Sequence, residues 1–201
     1  MILKKWILII LVFIFCFQTK FKAILLPDFK WAVFHPISAI EVKKITKKCD
    51  KFYYNPNLKV LLDSFESGGK LDAFRHIFYM TAYAQKIKIK KLRKLGIAHE
   101  KGNYKQFLKG KTENGELPDS ISTIMDLNNN EIAFKLYKKH NNLTLNELQN
   151  IVINLINNNG AYVLLRNQLG EFVDCEGNKI KYKKKWTINK CLIEPKFILI
   201  E

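Results

Sequence analysis

"GKLDAFRHIFYMTAYAQKIKIKKLRKLGIAHE", residues 69–100, holds two of the chain's four histidines, each set among ionisable neighbours. Asp72, Arg75 and His76 stand near one end, His99 and Glu100 at the other. Phe74, Ile77, Phe78, Thr81 and Ala84 recur at steps of three and four, the spacing of one helix face. Asp72, Arg75, His76, Tyr79 and Tyr83 fall on a second face by the same arithmetic. A second helix is expected over residues 88–99, in spite of Gly96. Two successive helices, the first with an apolar and a polar stripe, set the fold class as mainly α.

Outward from this stretch the helical pattern continues. Pro36 opens a helix at a favoured first-turn position, with Ile37, Ile40, Val42 and Ile45 as its inner face. Ser67-Gly68-Gly69 interrupts the chain ahead of the central helix. Residues 101–120 are polar and Gly-bearing and read as a loop, after which Ser120 or Ser122 caps a helix through "MDLNNNEIAF", residues 125–134. "TLNE" (residues 144–147) has the form of a capping box, opening a helix that Gly160 can close. Beyond it, "AYVLL", "EFVD" and "KIKYK", separated by Gly-containing turns, predict a small antiparallel sheet. The organisation is a hydrophobic leader over residues 1–23, a helical domain over 34–160 that carries the polar motifs, and a β-rich appendage over 161–201.

The leader is the run "WILIILVFIFCF" from Trp6 to Phe17, preceded by Lys4 and Lys5. A basic flank and about a dozen apolar residues match the start of a secretory signal. The run is shorter than the roughly 20 residues that span a bilayer. Phe21 and Lys22 stand where a cleavage site needs small residues, so a cleaved signal peptide and a retained transmembrane signal-anchor both fit. Either places the protein in the membrane or cell envelope, outside the cytoplasm. There Cys175 and Cys191 are expected to form a disulfide, while Cys49 reads as an unpaired helix residue. No cysteine–histidine spacing fits structural zinc.

The net charge is +16 over 201 residues, of which 48% are hydrophobic. That content excludes a disordered chain. The charge suits polyanionic partners, anionic lipid or an envelope polymer. No nucleic-acid module is legible, and the basic residues are scattered apart from 86–94 and 179–185, so specific nucleic-acid binding is not expected.

Three segments each bring a compact polar cluster. Asp72 and His76, four apart, meet on one helix face. His99 and Glu100 are adjacent and cannot face the same way, so one of them orients the other's surroundings from behind. Asp126, Asn129 and Asn130 are spaced i, i+3 and i+4. Carboxylate, imidazole and amide oxygen suit a hard or borderline divalent metal that activates water, and a His–carboxylate pair can also act as a general base. The competing reading is a buried hydrogen-bonded network that pins three helices together.

"DAFRH", "AHE" and "MDLNNN", in that order, resemble an uncharacterised bacterial domain-of-unknown-function family with the motifs D-A-x-R-H, A-H-E and M-D-L-x-N-N. The resemblance covers roughly residues 68–139 and maps onto Asp72, Arg75, His76, His99, Glu100, Asp126, Asn129 and Asn130. This chain departs from it at Ile77, Tyr79 and Ile97, where the family has a small residue, Trp and Asp; the last removes one potential ligand. The order of histidines and acids is also similar to that of HD-type phosphohydrolases, which are helical metal enzymes, although the usual surroundings are absent and order alone does not give function.

The resulting expectation is an exported or membrane-anchored, metal-dependent hydrolase of the cell envelope. Asp72, His76, His99 and Asp126 are its candidate metal ligands, and His76, His99, Glu100 and Asp126 its candidate catalytic groups. Arg75, Asn129 and Asn130 are its candidate substrate-binding groups. The alternative is a non-enzymatic envelope protein whose polar motifs form a structural network and whose basic surface binds anionic lipid or a protein.

Overall fold

A computed structural model of the chain describes residues 27–181 and 185–196. The leader of residues 1–23, with its signal-peptide and anchor readings, lies outside the described residues. Among those described, seven helices precede a two-stranded antiparallel sheet: α1 Pro27–Phe34, α2 Pro36–Tyr53, α3 Pro56–Leu61, α4 Lys70–Ala84, α5 Ile89–Leu108, α6 Ser120–Lys139, α7 Leu145–Asn157, then β1 Val163–Leu164 and β2 Leu192–Ile193. The mainly α fold with a small C-terminal β element is as expected. None of the described helices is long and apolar enough to cross a membrane.

α4 is the axis. It packs most extensively on α6 and also against α2, α7 and α5. Most of its residues are buried, Asp72, His76 and Thr81 among them, while Lys70, Arg75, Tyr79 and Met80 are partly buried. Phe74, Ile77 and Phe78 meet Leu136, Leu148 and Val152 in the main core. A helix packed against several neighbours brings polar residues it carries into the interior. That is how Asp72 and His76 come to be buried.

Local chemistry explains most helix starts. Pro36 and Pro56 open α2 and α3, and the Thr144–Glu147 capping box opens α7. α6 is capped by Asp119, whose Oδ1 accepts from the amides of Ile121 and Ser122 at 2.9 and 3.0 Å, rather than by Ser120 or Ser122. The acid is the stronger cap here because Lys190, fully buried, sits 2.8 Å from its other oxygen. α4 has no side-chain cap at Gly69; the Asp63 carboxylate reaches across to accept from the amides of Lys70 and Leu71 at 2.7 and 3.1 Å.

Three local expectations are corrected. α5 does not stop at His99 but runs on to Leu108, because Gly102, Asn103 and Phe107 are buried along one side of it and packing overrides their polar, Gly-bearing neighbourhood. Ile37 and Ile40 are 78% and 55% exposed rather than interior, and only Val42 and Ile45 of that series pack on the core. The sheet joins Val163–Leu164 to Leu192–Ile193, while "EFVD" contributes only the isolated bridges Arg166–Phe172 and Val173–Lys179. Tyr182 and Lys183, the end of the expected "KIKYK" strand, lie outside the described residues.

The C-terminal segment is bound to the helices rather than appended. Leu164, Phe172 and Ile180 share a core with Met125 of α6, and Trp186 packs on Tyr104 and Phe107 of α5. A disulfide joins Cys175 to Cys191, and Cys49 is free and buried in α2. Gly68 is the point where this segment touches the start of α4. Its carbonyl accepts from Leu164 N–H at 2.7 Å, its φ is +71°, and a Cβ there would lie 2.8 Å from Leu164 Cδ1 and 2.9 Å from Phe172 Cε1. Gly68→Ala should therefore lower the urea-unfolding free energy by about 2 kcal/mol, from backbone strain plus the clash. Gly115→Ala, at φ +84° but in open space, should cost about 1 kcal/mol. Equal losses would remove the packing component.

Candidate active site

α4 and α6 lie side by side, and four side chains meet between them. His76 Nδ1 stands 3.2 Å from Oδ1 of Asn130. That oxygen has only lone pairs to offer, so Nδ1 carries the hydrogen and donates it. Burial first, then the charges of Arg75 and His99, hold the imidazole pKa well below its ordinary value. Its Nε2 lies closest to two carboxylates: Asp126 Oδ1 at 3.2 Å and Asp72 Oδ1 at 3.7 Å.

Asp72 is held from behind, as the ring is by Asn130. Asp72 Oδ2 accepts from the Gly68 amide at 2.7 Å, and its Oδ1 from Arg75 at 2.6 Å. Asp126 has no such support. Burial, then the nearby charges of Asp72 and Glu100, push its carboxyl well above the ordinary range. Burial likewise raises Asp72, against the pull of Arg75. Among the described residues, His76 Nε2 and Asp126 Oδ1 are buried atoms without a hydrogen-bond partner.

The same three residues form a ligand set: one atom from each of Asp72, His76 and Asp126 lies within 4.8 Å of the others. Ligand atoms roughly 2.0–2.2 Å from a tetrahedral cation stand about 3.4 Å apart. The 3.2 and 3.7 Å separations bracket that distance. Orphaned acceptors, donor chemistry and spacing all fit a divalent metal, and three protein ligands leave coordination positions open.

Two spaces flank the cluster. A cleft of about 380 Å³ is lined by His76, Arg75, His99 and Asn130, with walls of Tyr53, Tyr54, Tyr79 and Tyr83. Asp50 and Thr46 fix two of these phenols, at 2.8 Å from the Tyr79 hydroxyl and 2.6 Å from that of Tyr83. A much smaller cavity, about 20 Å³, is lined by Asp72, Asp126, Glu100, Asn103 and Glu113. It has the size of a single water. Arg75, Glu66 and Asn114 line both spaces. Gly96 lets α5 close on this region, since a Cβ there would stand 2.9 Å from the Asn130 amide nitrogen.

The remaining candidate residues separate. Glu100 faces the small cavity, its Oε2 accepting from Thr123 at 2.9 Å, and burial pushes its carboxyl up to about 7. His99 does not join the ligand set: it lines the cleft, between Asp28 at 3.7 Å and Glu113 at 3.5 Å. Neighbouring helix positions diverge by about 100°, so Glu100 faces the small cavity while His99 faces the cleft. Asn129 spends both ends of its amide on the Tyr162 backbone, donating to its carbonyl at 2.9 Å and accepting from its N–H at 3.0 Å. It ties the C-terminal segment to α6, whereas Asn130 serves His76. The disulfide lies elsewhere. Asn103, Glu113 and Thr123 were not picked out from the sequence. Asn103 is the i+3 neighbour of Glu100, a signal visible once α5 is extended past His99.

A family model described as "Domain of unknown function (DUF6973)" matches residues 29–160, most of the chain and every residue of this cluster. The chain belongs to the DUF6973 family. No curated protein and no solved structure matches it. The match to the DUF6973 domain ends just before Tyr162, so the backbone that engages Asn129 comes from outside the matched region.

Within the DUF6973 domain, His99 offers a test that does not involve the ligand set. Its contacts to Asp28, then Glu113, raise its pKa to about 10 from an ordinary 6.5. A raised folded-state pKa stabilises fully below the unfolded value and is lost as pH rises through the folded one. The side chain keeps 41% of its surface exposed, so solvent screening keeps the contribution small. In thermal melts the advantage of the wild type over His99→Gln should be present below pH 6.5 and gone near pH 10. An advantage that does not change with pH would show that these contacts are not ionic.

Proposed function

We propose that this chain is a divalent-metal-dependent hydrolase, working at the Asp72–His76–Asp126 cluster on substrates admitted through the tyrosine-walled cleft. The observation that carries the reading is the convergence of one atom each from Asp72, His76 and Asp126, placed between a substrate-sized cleft and a water-sized cavity.

Asp72, His76 and Asp126 would hold the metal. When bound, such a metal lowers the pKa of a coordinated water and polarises the bond to be cut. Arg75 and the Gly68 amide fix the Asp72 carboxylate, and the Asn130 oxygen fixes the tautomer of His76 that presents Nε2. Glu100 faces the water-sized cavity with a carboxyl near pH 7, which suits it to take a proton from water held there. Arg75 reaches the cleft as well, where its guanidinium would meet a negatively charged group next to the scissile bond. A phosphoester is the substrate class that best suits an arginine beside a water-activating site. The apolar leader and the disulfide make the cell envelope the place where we expect this chemistry.

Metal content and hydrolysis of generic phosphomonoesters and phosphodiesters, measured on the purified full chain after incubation with zinc, manganese or magnesium, test the proposal. The wild type should hold about one metal per chain, and Asp126→Asn should hold none. That variant should melt no lower than the metal-free wild type, because its amide N–H can donate to His76 Nε2 in place of the carboxyl. Glu100→Gln should keep the metal and lose activity by about 10²–10⁴-fold. A wild type that takes up none of the three metals, with an Asp126→Asn variant that melts far lower, would establish the structural network instead.

A further inference from the structure

α1 and the second half of α5 enclose an open groove of about 830 Å³ lined by Phe29, Val33, Phe34, Tyr104 and Leu108. Lys30, Lys101 and Lys105 line the same groove. Its apolar side chains are out in the open: Val33 is 55% exposed, Phe34 70% and Leu108 58%. The face cannot roll inward to hide them. The opposite side of α1 carries Trp31, which is buried and donates from Nε1 to the Lys91 carbonyl at 2.9 Å, locking the helix orientation against α5.

The sequence leading to this groove narrows what covers it. Pro27, the first described residue, itself lines the groove. Before it come 26 residues that include the apolar run Trp6–Phe17, with Lys4, Lys5, Lys20 and Lys22 and no acidic residue ahead of Asp28. An apolar segment with only positive charges around it enters the domain where aromatic side chains and lysines stand exposed together. Long apolar and aromatic side chains alternating with lysines are the composition of a surface resting in a headgroup layer. There the rings reach the acyl boundary and the ammonium groups meet phosphates. We propose that this groove is a bilayer-contacting face, and that α1 and the end of α5 lie on an anionic lipid surface. Phe29, Val33 and Phe34 enter the interface, and Lys30, Lys101 and Lys105 sit at the headgroups. The inference stands apart from the hydrolytic reading and uses none of its residues.

The test places a reporter at the groove, because the leader alone could hold the chain on vesicles. Full-length protein carrying Cys16→Ser and Val33→Cys is labelled with an environment-sensitive fluorophore; Cys49 is buried and the other two cysteines are bridged. On vesicles of phosphatidylcholine with phosphatidylglycerol the emission should shift to the blue and be quenched by a nitroxide on the acyl chain. Raising the salt concentration, or adding Lys30→Glu with Lys101→Glu, should weaken vesicle affinity by about tenfold or more. Phe34→Asp with Leu108→Asp should abolish the shift while leaving the thermal melt unchanged. A chain that co-floats with vesicles while the label stays in water would overturn the proposal. So would an equal shift on pure phosphatidylcholine. So would a label already blue-shifted without lipid, whether concentration-independent (residues 6–17 folded into the groove) or concentration-dependent (a second copy).

Discussion

One buried convergence of two carboxyls and an imidazole organises this protein. Asp72 Oδ1, His76 Nε2 and Asp126 Oδ1 come together between α4 and α6, at the seam between the cleft and the small cavity. A single proton, held on Asp126, relieves one of the contacts; a cation relieves all three at once. Left with neither, the arrangement costs stability, and what surrounds it works to keep the groups from turning away. Arg75 and the Gly68 amide fix one carboxylate, and Asn130 fixes the ring. α4 packs against α2, α5, α6 and α7, which holds these groups in place.

The cluster is also a partition. His76 looks into the tyrosine-walled cleft, while Asp72 and Asp126 look into the acid-lined cavity. The cleft is built from α2, α4 and α5, with Asn130 of α6. The cavity is closed by the loop after α5, where Asn114 donates to the Glu66 carbonyl at 3.0 Å. The C-terminal segment supports the arrangement from a third side, through Leu164 and Phe172 against Gly68 and through Tyr162 on Asn129. Residues far apart in sequence therefore bear on the same few atoms.

Periodicity made much of this legible. The three- and four-residue spacing over 71–84 identifies α4, and the Asp72–His76 step places both groups on one face. The capping box at Thr144 marks the start of α7 to the residue. Tertiary packing decided the rest. Asn103 and Phe107 look like loop residues among lysines and glycines until burial, of Asn103 against the cavity and of Phe107 against Trp186, makes them helical. Adjacent His99 and Glu100 had to diverge, but only the packing of α5 decides that Glu100 faces the small cavity and His99 the cleft. The divergence of Asn129 from Asn130 needed the Tyr162 backbone, thirty-odd residues downstream, to become visible. Ile37 and Ile40 show the opposite case: apolar spacing without a partner to bury against.

Asp119 caps the helix that carries Asp126, and the charge set against that cap belongs to Lys190, sealed from solvent with its ammonium 3.6 Å from the Phe172 ring. Lys190 is the immediate neighbour of Cys191, whose bond to Cys175 holds the strand in place. Opening that bond would loosen the tether that keeps the ammonium out of water, and an escaped Lys190 would leave the buried Asp119 carboxylate with hydrogen bonds but no counter-charge. The thiol–disulfide poise of the surroundings thus has a short physical route to the cluster: one covalent bond, one ion pair and two turns of helix.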